Sequence, residues 1–262
     1  MADYRRELRF AREAAVAAGQ ILRRGMSRRR PPRYKGRVDL VTAYDLKSEA
    51  YLVGQITKKF PGHSILAEEG SGRGQPSPCR WIIDPLDGTT NFAHGYPAFC
   101  VSIGFEVEGR LEVGVVYDPV HDELFHARQG GGAFVNRRRL AVSGEGRLER
   151  SLLATGFPYD IAESRVDNLD NFARMYKIAR GIRRGGSAAL DLCYLAAGRF
   201  DGFWELKLHP WDTAAGAVIV AEAGGRVTDF QGRPYSLDDN NLLASNGKIH
   251  KQMQIILRKG RL

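Results

Sequence analysis

The stretch WIIDPLDGTTNF, residues 81–92, limits this chain more than any other. Three apolar residues, Trp81 to Ile83, read as a strand buried on both faces that delivers Asp84 to its end. Pro85, which has no N–H to give, then breaks the ladder, and Asp87-Gly88 turns the chain sharply. Thr89, Thr90 and Asn91 suit the start of a short helix whose free N–H groups face outward. Two carboxylates three residues apart around such a turn can converge on one point. There they repel, unless a hard divalent cation takes their oxygens and neighbouring carbonyls as ligands. The adjacent amides of Gly88 and Thr89 would offer a seat for a phosphate. Taken alone, D-P-x-D-G is equally an ordinary turn.

Two further acidic segments stand at comparable places. Residues 64–70, SILAEEG, read as a buried strand ending in Glu68 and Glu69. Asp212, in the run WDTAAG that follows Pro210, falls in the first turn of a helix, where the positive end of the dipole favours a carboxylate. Each has a plain explanation by itself: a helix cap for Asp212, a solvated loop for the glutamates. Three such termini in one chain make separate plain explanations less attractive.

The rest of the chain divides by texture. A helix is expected over residues 3–22, with Leu8, Ala11, Ala15, Ala18 and Leu22 on one stripe and Gly25 as its stop. After a basic loop at 26–32, a second helix is expected over 45–60 with Leu46, Ala50, Val53 and Phe60 inward. Strands over 64–67 and 81–83 precede two hairpins, which pair 98–106 with 111–117 and 123–127 with 132–135. Beyond Gly144 the elements alternate. Strands are expected over 152–155, 181–184, 202–205, 226–229 and 242–245, and helices over 164–179, 187–197, 211–222 and 248–257. Helices and hairpins first, alternation second, give an α/β chain of the α+β type with two sheets layered between helices. The change of texture separates an N-terminal lobe, residues 1–145, from a C-terminal lobe, 146–262, within one compact unit.

Composition excludes whole classes. With 43% hydrophobic and 26% charged residues, the chain has ample apolar surface for a core, so disorder is ruled out as its main state. Its longest apolar runs, around 98–105 and 214–223, fall short of the roughly 20 residues that a membrane span needs. Acidic residues Asp3, Glu7 and Glu13 within the first apolar pattern argue against a signal peptide. Three scattered cysteines, with no C-x-x-C pair, fit a reducing cytoplasm. No P-loop and no Gly-x-Ser-x-Gly elbow occurs, and His94, His121, His126 and His209 lack the spacing of a metal pair.

WIIDPLDGTTNF, the upstream AEEG and the downstream WDTAAGAVIVAEAGG together resemble the signature segments of the inositol monophosphatase family, the magnesium-dependent, lithium-sensitive phosphatases. VDLVTAYD (38–45), HGYPAFCVSIG (94–104) and GSAALDLCYLAAGRFDGFWE (186–205) fall in the same order, so the resemblance spans nearly the whole chain. It implies a layered αβαβα sandwich of the sugar-phosphatase kind, two or three Mg2+ ions per site, and a homodimer. By the same resemblance, Glu68, Asp84 and the carbonyl of Leu86 hold one ion, and Asp84, Asp87 and Asp212 a second. Glu68 and Thr89 position and deprotonate the attacking water, with Asp45 hydrogen-bonded behind Thr89. The amides of Gly88 and Thr89 receive the phosphate, flanked by Asp87 and Asp212, while Glu205 and the backbone of Ala188 meet the substrate's hydroxyls. Glu69 supports these or serves a weaker third ion, and Lys35 lies near a basic position of a mobile loop.

The family hosts several substrates. Glu205 favours a polyol monophosphate, with inositol 1-phosphate the first choice, because a carboxylate accepts from hydroxyls and repels a second phosphate. Lys207, two residues on along an extended strand, would point to the same side and leaves room for fructose 1,6-bisphosphate. A different class of function is also open. The net charge is +9, and arginines at 23–37, 137–139 and 180–184 offer a surface for RNA or a transcription complex. Against this, no nucleic-acid module interleaves aromatics with these charges.

Overall fold

The computed structural model describes residues 3–26, 33–34, 40–72 and 74–259. The basic stretch 27–32, Lys35 and most of the arginines at 23–37 lie outside the described residues. In chain order the elements are α1 (Arg5–Met26), β1 (Arg33–Tyr34), β2 (Leu40–Val41), α2 (Ala43–Lys59), β3 (Ser64–Ala67), β4 (Cys79–Asp87), α3 (Thr89–His94), β5 (Cys100–Val107), β6 (Arg110–Asp118), β7 (Glu123–Arg128), β8 (Gly132–Val135) and β9 (Arg138–Arg139). They continue with β10 (Leu152–Thr155), α4 (Leu169–Tyr176), β11 (Gly181–Arg183), α5 (Ala188–Ala196), β12 (Gly202–Leu206), α6 (Pro210–Glu222), β13 (Arg226–Thr228), β14 (Asn241–Ser245) and α7 (His250–Leu257). No helix among the described residues is long and apolar enough to cross a membrane.

A seven-stranded sheet runs β3-β4-β5-β6-β7-β8-β9 and a five-stranded sheet β11-β10-β12-β14-β13; β1 and β2 pair separately. Three apolar clusters show how these are layered. Phe10, Ala14, Leu22, Leu52 and Ile56 of α1 and α2 bury against Trp81, Ile83, Ile103 and Val115 on one face of the large sheet. Leu190, Leu192 and Leu195 of α5 and Val218 to Val220 of α6 fill the space between the two sheets. Met253 and Leu257 of α7 and Met175 of α4 cover the far face of the small sheet, against Trp204 and Leu243. The result is helix, sheet, helix, sheet, helix, as expected for two sheets between helices.

Two glycines set how closely the middle layer approaches. Gly104 on β5 pairs with Gly114 on β6, and both lie under the small residues at the start of α6. A Cβ on Gly104 would stand 2.7 Å from the Ala214 Cβ, and one on Gly114 would overlap the Ala215 backbone. This contact places the N-terminus of α6, and with it Asp212, over the sheet. Gly114→Ala is expected to cost about 3 kcal/mol by overpacking, a fall in Tm of roughly 6–12 °C for a chain of this size, read by thermal unfolding. An unchanged Tm would show that the helix can shift without cost.

Several sequence expectations need correction. Pro85 does not end its strand: β4 runs on to Asp87, with Asp84 opposite Ser102 and Asp87 opposite Cys100 and a bulge between them. A bulge spares the ladder the N–H that proline lacks. Gly25 is not a stop but a buried helical residue pressed on the Tyr44 ring. In α2, Leu46 is 50% exposed and Ala50 is exposed, while Asp45, Ser48 and Glu49 are buried beside Leu52, Val53 and Ile56. The helix expected over 164–179 shrinks to α4, because Asn168 caps it in the left-handed region at φ 71°. The closing helix starts at His250, two residues late.

Candidate active site

The parallel register of β3 and β4 brings the first carboxylates together. Ala67 stands opposite Ile83, so the residues that follow, Glu68 and Asp84, emerge side by side at the same end of the sheet. Their side chains are hydrogen-bonded to each other. Asp84 is 2% exposed, and its Oδ1 accepts from the Leu86 N–H at 2.9 Å across the bulge. Burial lifts its carboxyl well above the usual carboxylate range, and the charges of Glu68, Asp87 and Asp212 lift it further. Asp87, at the strand end, aims Oδ2 at the start of α5, accepting from Ser187 Oγ at 2.6 Å and the Ala189 N–H at 2.8 Å. Burial raises its carboxyl while these donors pull it back.

Asp212 arrives from the opposite layer. Ser102, the partner of Asp84 in the sheet, lies with Oγ 3.3 Å from the Trp211 carbonyl, and Asp212 Oδ2 accepts from the His209 N–H at 2.7 Å. Its carboxyl is pushed up to about 7 by burial, then by the Asp87 charge. Glu68, Asp84, Asp87 and Asp212 therefore share one neighbourhood, although 144 residues separate the first from the last. Among the described residues no three such side chains already stand around one point at coordinating distance. The Glu68–Asp84 hydrogen bond and the turn of Asp87 onto Ser187 hold them in their present poses. The donor set is four carboxyls, Asp84 and Asp87 buried and Glu68 and Asp212 part-exposed, with the Leu86 carbonyl on the same strand as the first two. That chemistry fits a hard divalent cation, which needs oxygen ligands and negative charge.

Beside the carboxylates, Gly88 adopts φ 92° as the cap of α3, where a Cβ would stand 2.8 Å from the Ala98 carbonyl. Thr89 Oγ1 lies 3.0 Å from Asp45 Oδ1 and 3.0 Å from the Leu86 carbonyl. Asp45 is fully buried, and its other oxygen accepts from the Thr42 N–H at 2.9 Å and Thr42 Oγ1 at 2.5 Å. Burial raises its carboxyl, opposed by those donors.

A cleft opens from Asp87 and Asp212 toward Glu205, walled by Thr155, Gly156, Phe157, Ala188 and Asp191. Gly156 leaves room for the Glu205 carboxyl, since a Cβ there would overlap it. Glu205 is pushed well above the usual carboxylate range by burial, then by Asp191 and Asp212, with Arg184 pulling it back. A larger surface cavity lies elsewhere, near Arg80, Glu106 and Tyr235, and none of the site residues lines it.

The sequence pattern of the inositol monophosphatase family fits residues 3–259. The chain belongs to that family. It is 46% identical over 253 residues to an inositol-1-monophosphatase of Synechocystis, covering 96% of this chain and 88% of the relative. It is equally 46% identical over 255 residues to the Nus factor SuhB of Pseudomonas aeruginosa, covering 94% and 93%. The solved inositol monophosphatase of Anabaena superposes with a TM-score of 0.91 at 44% identity, covering 99% of this chain and 98% of that one. Family and fold thus agree with the resemblance of the signature segments, and they support a phosphatase.

Family membership leaves particular residues to the geometry. Lys207 does not share the Glu205 side: the chain leaves β12 at φ 58°, and Lys207 Nζ donates to Asp160 at 2.6 Å and Ser164 at 2.8 Å. Among the described residues the cation lining the cleft is Arg184 instead, exposed at its rim. Sequence reasoning missed Ser48, Glu49 and Asp191. Asp45, Ser48 and Glu49 recur at helical spacing, which was a usable sign that the buried stripe of α2 carries polar work.

Proposed function

We propose that this chain hydrolyses phosphate monoesters with Mg2+, inositol 1-phosphate first among them. The observation that carries the reading is the gathering of Glu68, Asp84, Asp87 and Asp212 at one end of a cleft whose other end is Glu205. Glu68, Asp84, Asp87, Asp212 and the Leu86 carbonyl would hold two or three Mg2+ ions. When bound, the metal neutralises the phosphate dianion and lowers the pKa of water. The chain's own groups do the rest. Asp45 takes the Thr89 proton in a hydrogen bond, which leaves a Thr89 lone pair to orient the attacking water. Glu68 accepts that water's proton, and the Gly88 and Thr89 amides steady the phosphoryl oxygens. At the far end Glu205 accepts from the polyol's hydroxyls, with the Ala188 backbone alongside.

Two other features belong to this reading. Tyr159 at the cleft, Leu169, Tyr176 and Ile178 are large apolar side chains left exposed, and they would suit a homodimer. Arg184 at the rim favours, as the second substrate, a sugar carrying a further phosphate. An RNA-binding role rests on exposed Arg137 to Arg139 and on relatives named Nus factor SuhB, and it would be additional to the enzyme. The deciding measurement is phosphate release from inositol 1-phosphate, fructose 1,6-bisphosphate and a nucleotide 3′-phosphate, with Mg2+ and with EDTA. Fastest release from inositol 1-phosphate, abolished by EDTA, is expected. Brisk turnover of the bisphosphate alone would overturn the substrate, and turnover undiminished in EDTA would overturn the metal.

A further inference from the structure

The buried stripe of α2 touches three segments of the site, each through a different side chain. Asp45 holds Thr89, and Ser48 Oγ donates to the Pro85 carbonyl at 2.8 Å, pinning the β4 bulge. Glu49, one residue on, reaches the turn that carries Glu68. It is 2% exposed, and a carboxylate so buried needs donors on both oxygens. It has them: Oε2 accepts from the Glu69 N–H at 2.8 Å, and Oε1 from the Ser71 N–H at 3.1 Å and from Ser71 Oγ. Within the turn the Glu68 N–H donates to the Ile83 carbonyl and the Gly70 N–H to the Ala67 carbonyl, both at 3.3 Å.

We propose that Glu49 is a positioning residue for divalent-cation binding: by clamping the backbone of residues 69–71 it fixes where the Glu68 carboxylate points. Glu49 itself contacts neither ion nor substrate. The inference rests on the metal-dependent reading above and deepens it. A carboxylate suits the task because three convergent donors match its acceptor-only oxygens, whereas an amide would turn an N–H toward one of them. Its loss is expected to act on metal affinity, by the about 10–100-fold typical of groups that orient ligands, and to spare turnover once metal is saturating.

The test uses the full chain, stripped of metal, with Glu49→Gln as the variant and Mg2+ as the probe. Calorimetric titration should show Mg2+ bound at least about tenfold more weakly. Phosphate release at saturating Mg2+ should approach the wild-type rate, with KM for substrate unchanged. Hydrogen exchange in the metal-free state should quicken at the Glu69 and Ser71 amides while the sheet amides keep their protection. Wild-type Mg2+ affinity in a folded Glu49→Gln chain would overturn the inference, as would a lowered turnover that saturating Mg2+ fails to restore. If Glu49→Gln does not fold, Ser71→Ala keeps the carboxylate and removes one donor; weaker Mg2+ binding supports the clamp and unchanged binding overturns it. A wild-type chain that binds no Mg2+ would remove the proposed function and this inference together, whereas the variant results bear on the clamp alone.

Discussion

Asp84→Asn is expected to abolish turnover and, in the same protein, to raise the Tm of the metal-free chain. Both effects come from one charge. Asp84 is buried where Glu68, Asp87 and Asp212 all oppose its ionisation, so without a cation the carboxylate is a cost that folding elsewhere must offset. Asparagine removes the charge but keeps an oxygen for the Leu86 N–H, so the bulge survives. With Mg2+ the sign reverses, because the lost charge is one that would help to hold the cation. Metal assistance supplies several kcal/mol of transition-state stabilisation, so the rate should fall on the order of 10³-fold or more. Asp87 is a less clean position, since its Oδ2 also anchors Ser187 and Ala189. Phosphate release, with thermal unfolding in EDTA and in Mg2+, checks both halves. Wild-type turnover in the variant would sink the site; a lower Tm in EDTA would show that Asp84 is held by partners rather than strained by neighbours.

The order of elements was legible because it depends on local pattern. Alternating apolar runs and turn residues located nearly every strand, and the acidic segments singled out in the sequence are those that come together in the fold. The stripe expected on α1 is the one it buries, through Ala11, Ala15, Ala18 and Leu22; what stayed hidden was the face of α2. At α2, Val53 and Phe60 are inward as expected but Leu46 and Ala50 lie outside, because Asp45, Ser48 and Glu49 share the buried stripe with Leu52, Val53 and Ile56. Periodicity arguments assume that burial selects apolar side chains; a helix that braces an active site violates this, since its buried face must supply acceptors and donors. Lys207 failed for a related reason. Alternation along a strand holds only while the strand lasts, and a left-handed residue at 207 turns the side chain toward Asp160. The bulge at Pro85 likewise depends on Ser102 and Cys100 across the sheet, which local sequence does not encode.

Stability should depend on pH in opposite ways with and without Mg2+. Asp212 has an ordinary value of 3.8 and stands at about 7 in the folded chain. A carboxyl raised on folding contributes stability that is complete below its unfolded value and is lost as pH climbs through the folded one. The metal-free chain should therefore weaken from about pH 4 to about pH 7, with Asp84 and Asp87 shifted in the same direction. A rise of that size on Asp212 corresponds to on the order of 4 kcal/mol, or roughly 8–16 °C in Tm for a chain of this size. His250 opposes this trend. Buried between Thr228 and Ser245, it is lowered to about 4, so acidification below its ordinary 6.5 costs stability. That contribution is the same whether or not metal is present, and the difference between the two unfolding curves removes it. A cation that pairs with the carboxylates needs them ionised, so its stabilisation should grow as pH rises. The gap between Tm in Mg2+ and Tm in EDTA is accordingly expected to be small near pH 5 and to widen by pH 8. A gap that stays constant across that range would mean that the carboxylates are not what the ion binds.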